Sequence, residues 1–93
     1  MDDQRSLVPP VVDNRAARRF ELTLDGQTAF LVYERTSTVL RLIHTEVPPP
    51  LRHRHVGDAL VVAALDQARV AGLRVVALCP FVKAYLRKHP PPP

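Results

Sequence analysis

Three groups of residues in this chain have the side chains and spacing to do chemistry. Cys79 stands immediately before Pro80 and a helix-like run, where a helix N-terminus favours the thiolate over the thiol. His44 and Glu46 are two residues apart in a β-prone stretch, a spacing that puts an imidazole and a carboxylate on one strand face and suits proton transfer. Arg52, His53, Arg54 and His55 crowd directly before a second helix, starting at Val56. A helix start carries about half a positive charge and several unpaired N–H groups, so cationic side chains beside it make a site for phosphate. Tyr85, six residues past Cys79, could give a proton to a departing thiolate or could pack in the core.

These groups need elements to position them. "RFELTLDGQTAFLVYER" alternates Phe20, Leu22 and Leu24 against Glu21 and Thr23, meets Asp25-Gly26, and resumes as a β-prone run, which predicts a hairpin. "TVLRLIHTEV", Thr38 to Val47, predicts a third strand. Its alternation places Leu40, Leu42, His44 and Glu46 on one face and Val39, Arg41, Ile43, Thr45 and Val47 on the other. Pro48 to Pro50 break it. A helix follows from Val56 to about Ala71, with Val56, Leu60, Ala63 and Ala64 on one side and Gly72 as its stop. "LRVVALC", Leu73 to Cys79, reads as a buried strand, and "PFVKAYLRKH" as a short helix with proline in its first turn.

The order is therefore β-β-β-α-β-α, an α+β fold with an antiparallel N-terminal hairpin and a parallel βαβ unit. In such sheets ligands gather beyond the carboxyl ends of the strands, where His44 to Val47, the loop to Gly57, and Cys79 all fall. Residues 1–14 read as a flexible arm, 15–89 as a single domain, and 90–93 as a polyproline tail.

Ninety-three residues hold one domain with a modest core. An apolar content of 46% with 24% charged residues excludes a disordered chain. A net charge of +4 and a pI near 10.0 favour an anionic partner. No run approaches the roughly 18 apolar residues that cross a bilayer, and no signal-peptide core opens the chain, so a cytoplasmic protein without a membrane partner is expected. One cysteine fits a reducing compartment. His44, His53, His55 and Cys79 lack the paired spacing of zinc sites, so no metal is expected. The Walker loop and the G-x-G-x-x-G fingerprint are both missing.

"HTEVPPPLRHRHVGDALVVAALDQARVAGLRVVALCPFVKAYLRKHP", His44 to Pro90, resembles the small single-domain acetyltransferases of the GCN5-related superfamily, the minimal YjdJ-type group. Their pattern runs H-T-E-V-P, L-R-G-R-G-I-G, a helix, then L-C-P-F-V and a terminal H-P. The likeness covers about half the chain closely. It implies acetyl-coenzyme A as cofactor, with the pyrophosphate against the loop and first helical turn and the pantetheine arm beside the splayed strand ending at Val47. Cofactor contacts are expected from Val47, Leu51, Arg52, His53, Arg54, His55, Val56, Gly57, Asp58, Pro80 and Phe81. Cys79 falls on a cysteine proposed as catalytic in the family.

His53 and His55 stand where the pattern has glycine. If those positions need positive φ, a histidine costs roughly 1–2 kcal/mol. An imidazole can also become a cation beside phosphate, which predicts tighter cofactor binding near pH 6 than near pH 8.

The expected activity is transfer of acetyl to an unidentified amine, including a protein amine, by one of two routes. In the direct route His44 or Glu46 takes a proton from the attacking amine; in the covalent route Cys79 is acetylated first. A coenzyme A binding protein without turnover is the alternative. A basic nucleic-acid module is more distant, because stacking aromatics are scarce. Strands beyond the last helix of larger relatives have no counterpart, so the acceptor side is expected to be open, or completed by a second subunit in a homo-oligomer.

Overall fold

The computed structural model describes residues 10–90. Strands β1 (Val12–Asn14), β2 (Arg19–Leu24), β3 (Gln27–Arg35) and β4 (Val39–Glu46) are followed by a 3₁₀ turn (Pro49–Leu51), helix α1 (Val56–Ala71), strand β5 (Arg74–Ala77) and helix α2 (Pro80–Lys88). The strands form one sheet in the order β1-β2-β3-β4-β5. Among the described residues only the β4–β5 pair is parallel. The expected α+β fold and its βαβ unit are present.

One difference lies at the N-terminus. Val12–Asn14, read as part of a loose arm, pairs antiparallel with Glu21 to Arg19 and adds a strand. The Tyr33 hydroxyl donates to Asp13 at 2.5 Å and fastens β1 to the sheet, a contact between residues twenty apart that no local pattern announces. The rest of that arm, residues 1–9, and the proline tail at 91–93 lie outside the described residues.

The hairpin follows from its turn. Asp25 and Gly26 both adopt positive φ, 54° and 74°, which is the backbone a two-residue turn needs to match the twist of its strands. At the other end of α1, Gly72 adopts φ 70°, and the Leu73 amide reaches back to the Ala68 carbonyl at 2.8 Å to close the last turn.

Both helices cover one face of the sheet. Leu22, Leu31, Leu40 and Leu42 from the strands meet Val56, Leu60 and Val61 of α1 and Val82 of α2 in a single core, all fully buried. Each such side chain contributes about 1.5–3 kcal/mol by leaving water.

Candidate functional site

The site arises from two irregularities in β4. Val32 pairs with His44, but its neighbour Tyr33 pairs with Leu42, so Ile43 is an extra residue and β4 carries a bulge. Past it the alternation reverses. Leu40 and Leu42 point into the core, and the inward position then passes to Thr45, which stands opposite the buried Leu31.

His44 and Glu46 are turned to the other face, opposite Val32 and Phe30. This corrects the strict alternation read from the sequence, which kept them with Leu40 and Leu42. Their side chains are exposed and close, with His44 Nε2 3.5 Å from Glu46 Oε2. His44 sits edge-on to Phe30, whose ring also carries the Arg19 guanidinium at 4.3 Å.

The second irregularity is a parting of strands. β5 accompanies β4 only from Val39 to Leu42. The amides of Leu78 and Cys79 both donate to the Leu42 carbonyl, and there the chain turns off into α2. Ile43 to Glu46 therefore continues without β5 beside it, leaving a free edge. Such a splay exposes main-chain groups that can pair with an extended ligand.

At the mouth of the splay lies a cleft of about 490 Å³, lined by Thr45, Glu46, Val47, Leu51, Arg52, His53, His55, Val56, Gly57, Asp58 and Phe81. The first bond into α1 runs from the Ala59 amide to the His55 carbonyl. The amides of His53, His55, Val56, Gly57 and Asp58 have no backbone acceptor among the described residues. His53 and His55 adopt φ 70° and 59°, the left-handed backbone that favours glycine, and turns of this kind make concave runs of N–H groups that suit anions. Gly57 is needed for another reason. A Cβ there would lie 2.7 Å from Phe81 Cζ, so the absence of a side chain lets Phe81 close one wall.

The arginines divide. Arg52 lines the cleft and donates from Nε to the Val47 carbonyl at 3.1 Å. Arg54 does not line it; its guanidinium pairs with Asp25 at the hairpin tip, 3.0 Å away. Pro80 is also outside the lining. Asp58 supplies an acid in the first turn of α1, 3.7 Å from His55 Nδ1.

Cys79 is buried behind Thr45, with Sγ 3.4 Å from the hydroxyl. Burial acts to raise its pKa, but the Thr45 hydroxyl and the backbone amides of Val82, Phe81 and Thr45 outweigh that and hold the thiol below its ordinary value. Tyr85 is not at the cleft. It stacks on His89 with centroids 4.5 Å apart, packs against the core from α2, and lines a smaller hollow together with Asp58 and Phe81, which also line the cleft. Two contributors escape the sequence pattern. Thr45 faces inward only because of the bulge, and Asp25 reaches Arg54 only because the hairpin folds over the loop.

A five-stranded sheet with a bulged, splayed parallel pair and a bare helix start is an architecture suited to an extended ligand that carries an anionic group. A family model for GCN5-related N-acetyl-transferase matches residues 19–91, and the chain belongs to that family. The chain is 33% identical over 85 residues to Protein NATD1 of Mus musculus, of Gallus gallus and of Homo sapiens. Each match spans 88% of this chain and 77%, 77% and 75% of the respective relative.

Proposed function

We propose that this protein is an N-acetyltransferase that binds acetyl-coenzyme A in the cleft between Thr45 and Phe81 and passes the acetyl group to an amine arriving from the open face of the sheet. The observation that carries this reading is the row of amides without backbone acceptors at His53 and from His55 to Asp58, set beside Arg52 and the free edge of β4. Those amides and Arg52 suit a diphosphate, and the edge from Ile43 to Val47 suits an amide-bearing arm. When bound, the cofactor supplies an activated acyl group.

The chain supplies position and proton transfer. Glu46 reaches the cleft rim and pairs with His44 on the face that an acceptor can approach, so His44, oriented by Glu46, takes the proton from the amine. Thr45 lines the cleft, and Cys79, outside that lining, is buried behind it. The depressed pKa of Cys79 favours a second reading, in which its thiolate first accepts the acetyl group. Its burial favours the direct route. A free thiol supports a reducing compartment such as the cytoplasm.

The test is a ¹⁵N titration of the chain with coenzyme A, followed by thiol release from acetyl-coenzyme A with primary amines. Amide shifts centred on His53 to Asp58 and Ile43 to Val47, and thiol release that needs amine, are expected. Shifts elsewhere overturn the site, and binding without release leaves a coenzyme A binding protein. In the direct route Cys79→Ala keeps turnover within about threefold, whereas His44→Ala lowers it by about 10²-fold or more. In the covalent route Cys79→Ala abolishes turnover and the wild type carries an acetylated cysteine.

A further inference from the structure

At the far end of β4 from the cofactor cleft, about 25 Å away by strand length, a concavity of about 390 Å³ is lined by Arg15, Arg18, Tyr33, Arg35, Thr36 and Ser37. It is built by two turns. The β1–β2 turn brings Arg15 and Arg18 and is fixed by three hydrogen bonds: the Ala17 amide to Asn14 Oδ1, the Arg18 amide to the Arg15 carbonyl, and the Tyr33 amide to the Arg18 carbonyl. The β3–β4 turn brings Arg35, Thr36 and Ser37, with Thr36 Oγ1 accepting the amides of Thr38 and Val39. The backbone under the concavity is held on both sides while the guanidinium groups remain at its surface.

Three guanidinium groups around one hollow repel one another. Arg15 has Asp13 at 3.4 Å, but Arg18 and Arg35 have no carboxylate partner among the described residues. The two hydroxyls add donors: Thr36 Oγ1, already accepting twice, has its hydrogen to give, and Ser37 has no side-chain partner among the described residues. Arg18 also occupies φ 56°, a left-handed backbone where glycine or asparagine costs less. A cation is thus kept where local backbone preference disfavours it.

We propose that this concavity is a second anion site, for the phosphate or diphosphate group of a small molecule, separate from the cofactor cleft. Planar guanidinium forks pair two N–H groups with two phosphate oxygens, and the Thr36 and Ser37 hydroxyls complete the donor set. Bound phosphate offsets the repulsion among the arginines that the free protein carries.

The test is a titration of the full chain with inorganic pyrophosphate at constant ionic strength, read by ¹⁵N shifts. Saturable shifts at Arg18, Thr36 and Ser37, distinct in midpoint from any at Gly57, are expected. Arg18→Gly removes a guanidinium and suits the left-handed backbone, so it keeps the fold; with Arg35→Ala it should weaken this binding by about tenfold or more per arginine. Coenzyme A affinity at the cleft should stay within twofold in the same variant. Shifts confined to Gly57 and its neighbours, or an affinity unchanged by the two substitutions, overturn the proposal. So does a nucleic-acid oligomer that binds more tightly than pyrophosphate and perturbs Arg41 and Arg74 as well. Failure of the cofactor reading leaves this result untouched, because the two sites report through different amides.

Discussion

His53 and His55 hold a backbone conformation that glycine adopts freely, at a cost of roughly 1–2 kcal/mol each. They do so on the wall of the cleft, with Glu46, Arg52 and Asp58 as the charged groups that line it beside them and Arg54 turned aside to Asp25. Calorimetric titration with coenzyme A at about pH 6 and pH 8 tests the expectation, read from the sequence, of tighter binding at the lower value. In the double variant His53→Gly, His55→Gly the difference should fall to what the ligand's own phosphate titration contributes. The same variant should melt at an equal or higher temperature, because relief of the strained backbone offsets the added freedom of glycine in the unfolded chain. Equal affinity of the wild type at both pH values removes the histidines from phosphate binding.

At the scale of elements, α1 was legible to the residue, since its apolar spacing, its start at Val56 and its stop at Gly72 are all local signals. The Asp25-Gly26 hairpin was legible for the same reason. Most of the lining contributed by the loop before α1 was legible because a helix start, its flanking cations and the matched motif lie together in the chain. The faces of β4 were not. A bulge depends on how β3 and β4 settle against each other, and an alternating string such as Leu40, Leu42, His44, Glu46 carries no mark of where one extra residue will be absorbed. The pairing of Arg54 with Asp25 and the stack of Tyr85 on His89 are likewise products of packing between elements. Where α1 meets α2, Gly57→Ala tests the packing directly. The new methyl group pushes the Phe81 ring toward the cleft, so coenzyme A affinity should fall about tenfold. Stability should change by about 1 kcal/mol or less, because a side-chain ring can yield. Affinity equal to wild type in calorimetry shows that Phe81 is no wall of the site.

For the molecule as a whole, β1 is held by its pairing with β2 and by one part-buried contact to β3 whose strength depends on protonation. Burial, then the hydrogen bond to Asp13 and the charge of Asp13, push the Tyr33 hydroxyl up from 10.0 to about 12. The folded state thus favours the neutral phenol. Its contribution is complete below pH 10 and is lost as pH rises from 10 to 12, at most about 1.4 kcal/mol per pH unit over that window. Urea unfolding of the wild type and Tyr33→Phe across this range should show the wild type losing its advantage, and parallel curves count against the contact.

The extra residue at Ile43 has a kinetic consequence. It sets Thr45 toward the sulfur of Cys79 and the adjacent His44 toward solvent on the other face, with Glu46 at the rim between them, so one strand parts the cleft from the open face of the sheet. In the direct route, donor and acceptor enter by different doors and neither blocks the other's path. Their order of arrival is then free, and initial-rate plots should intersect rather than run parallel.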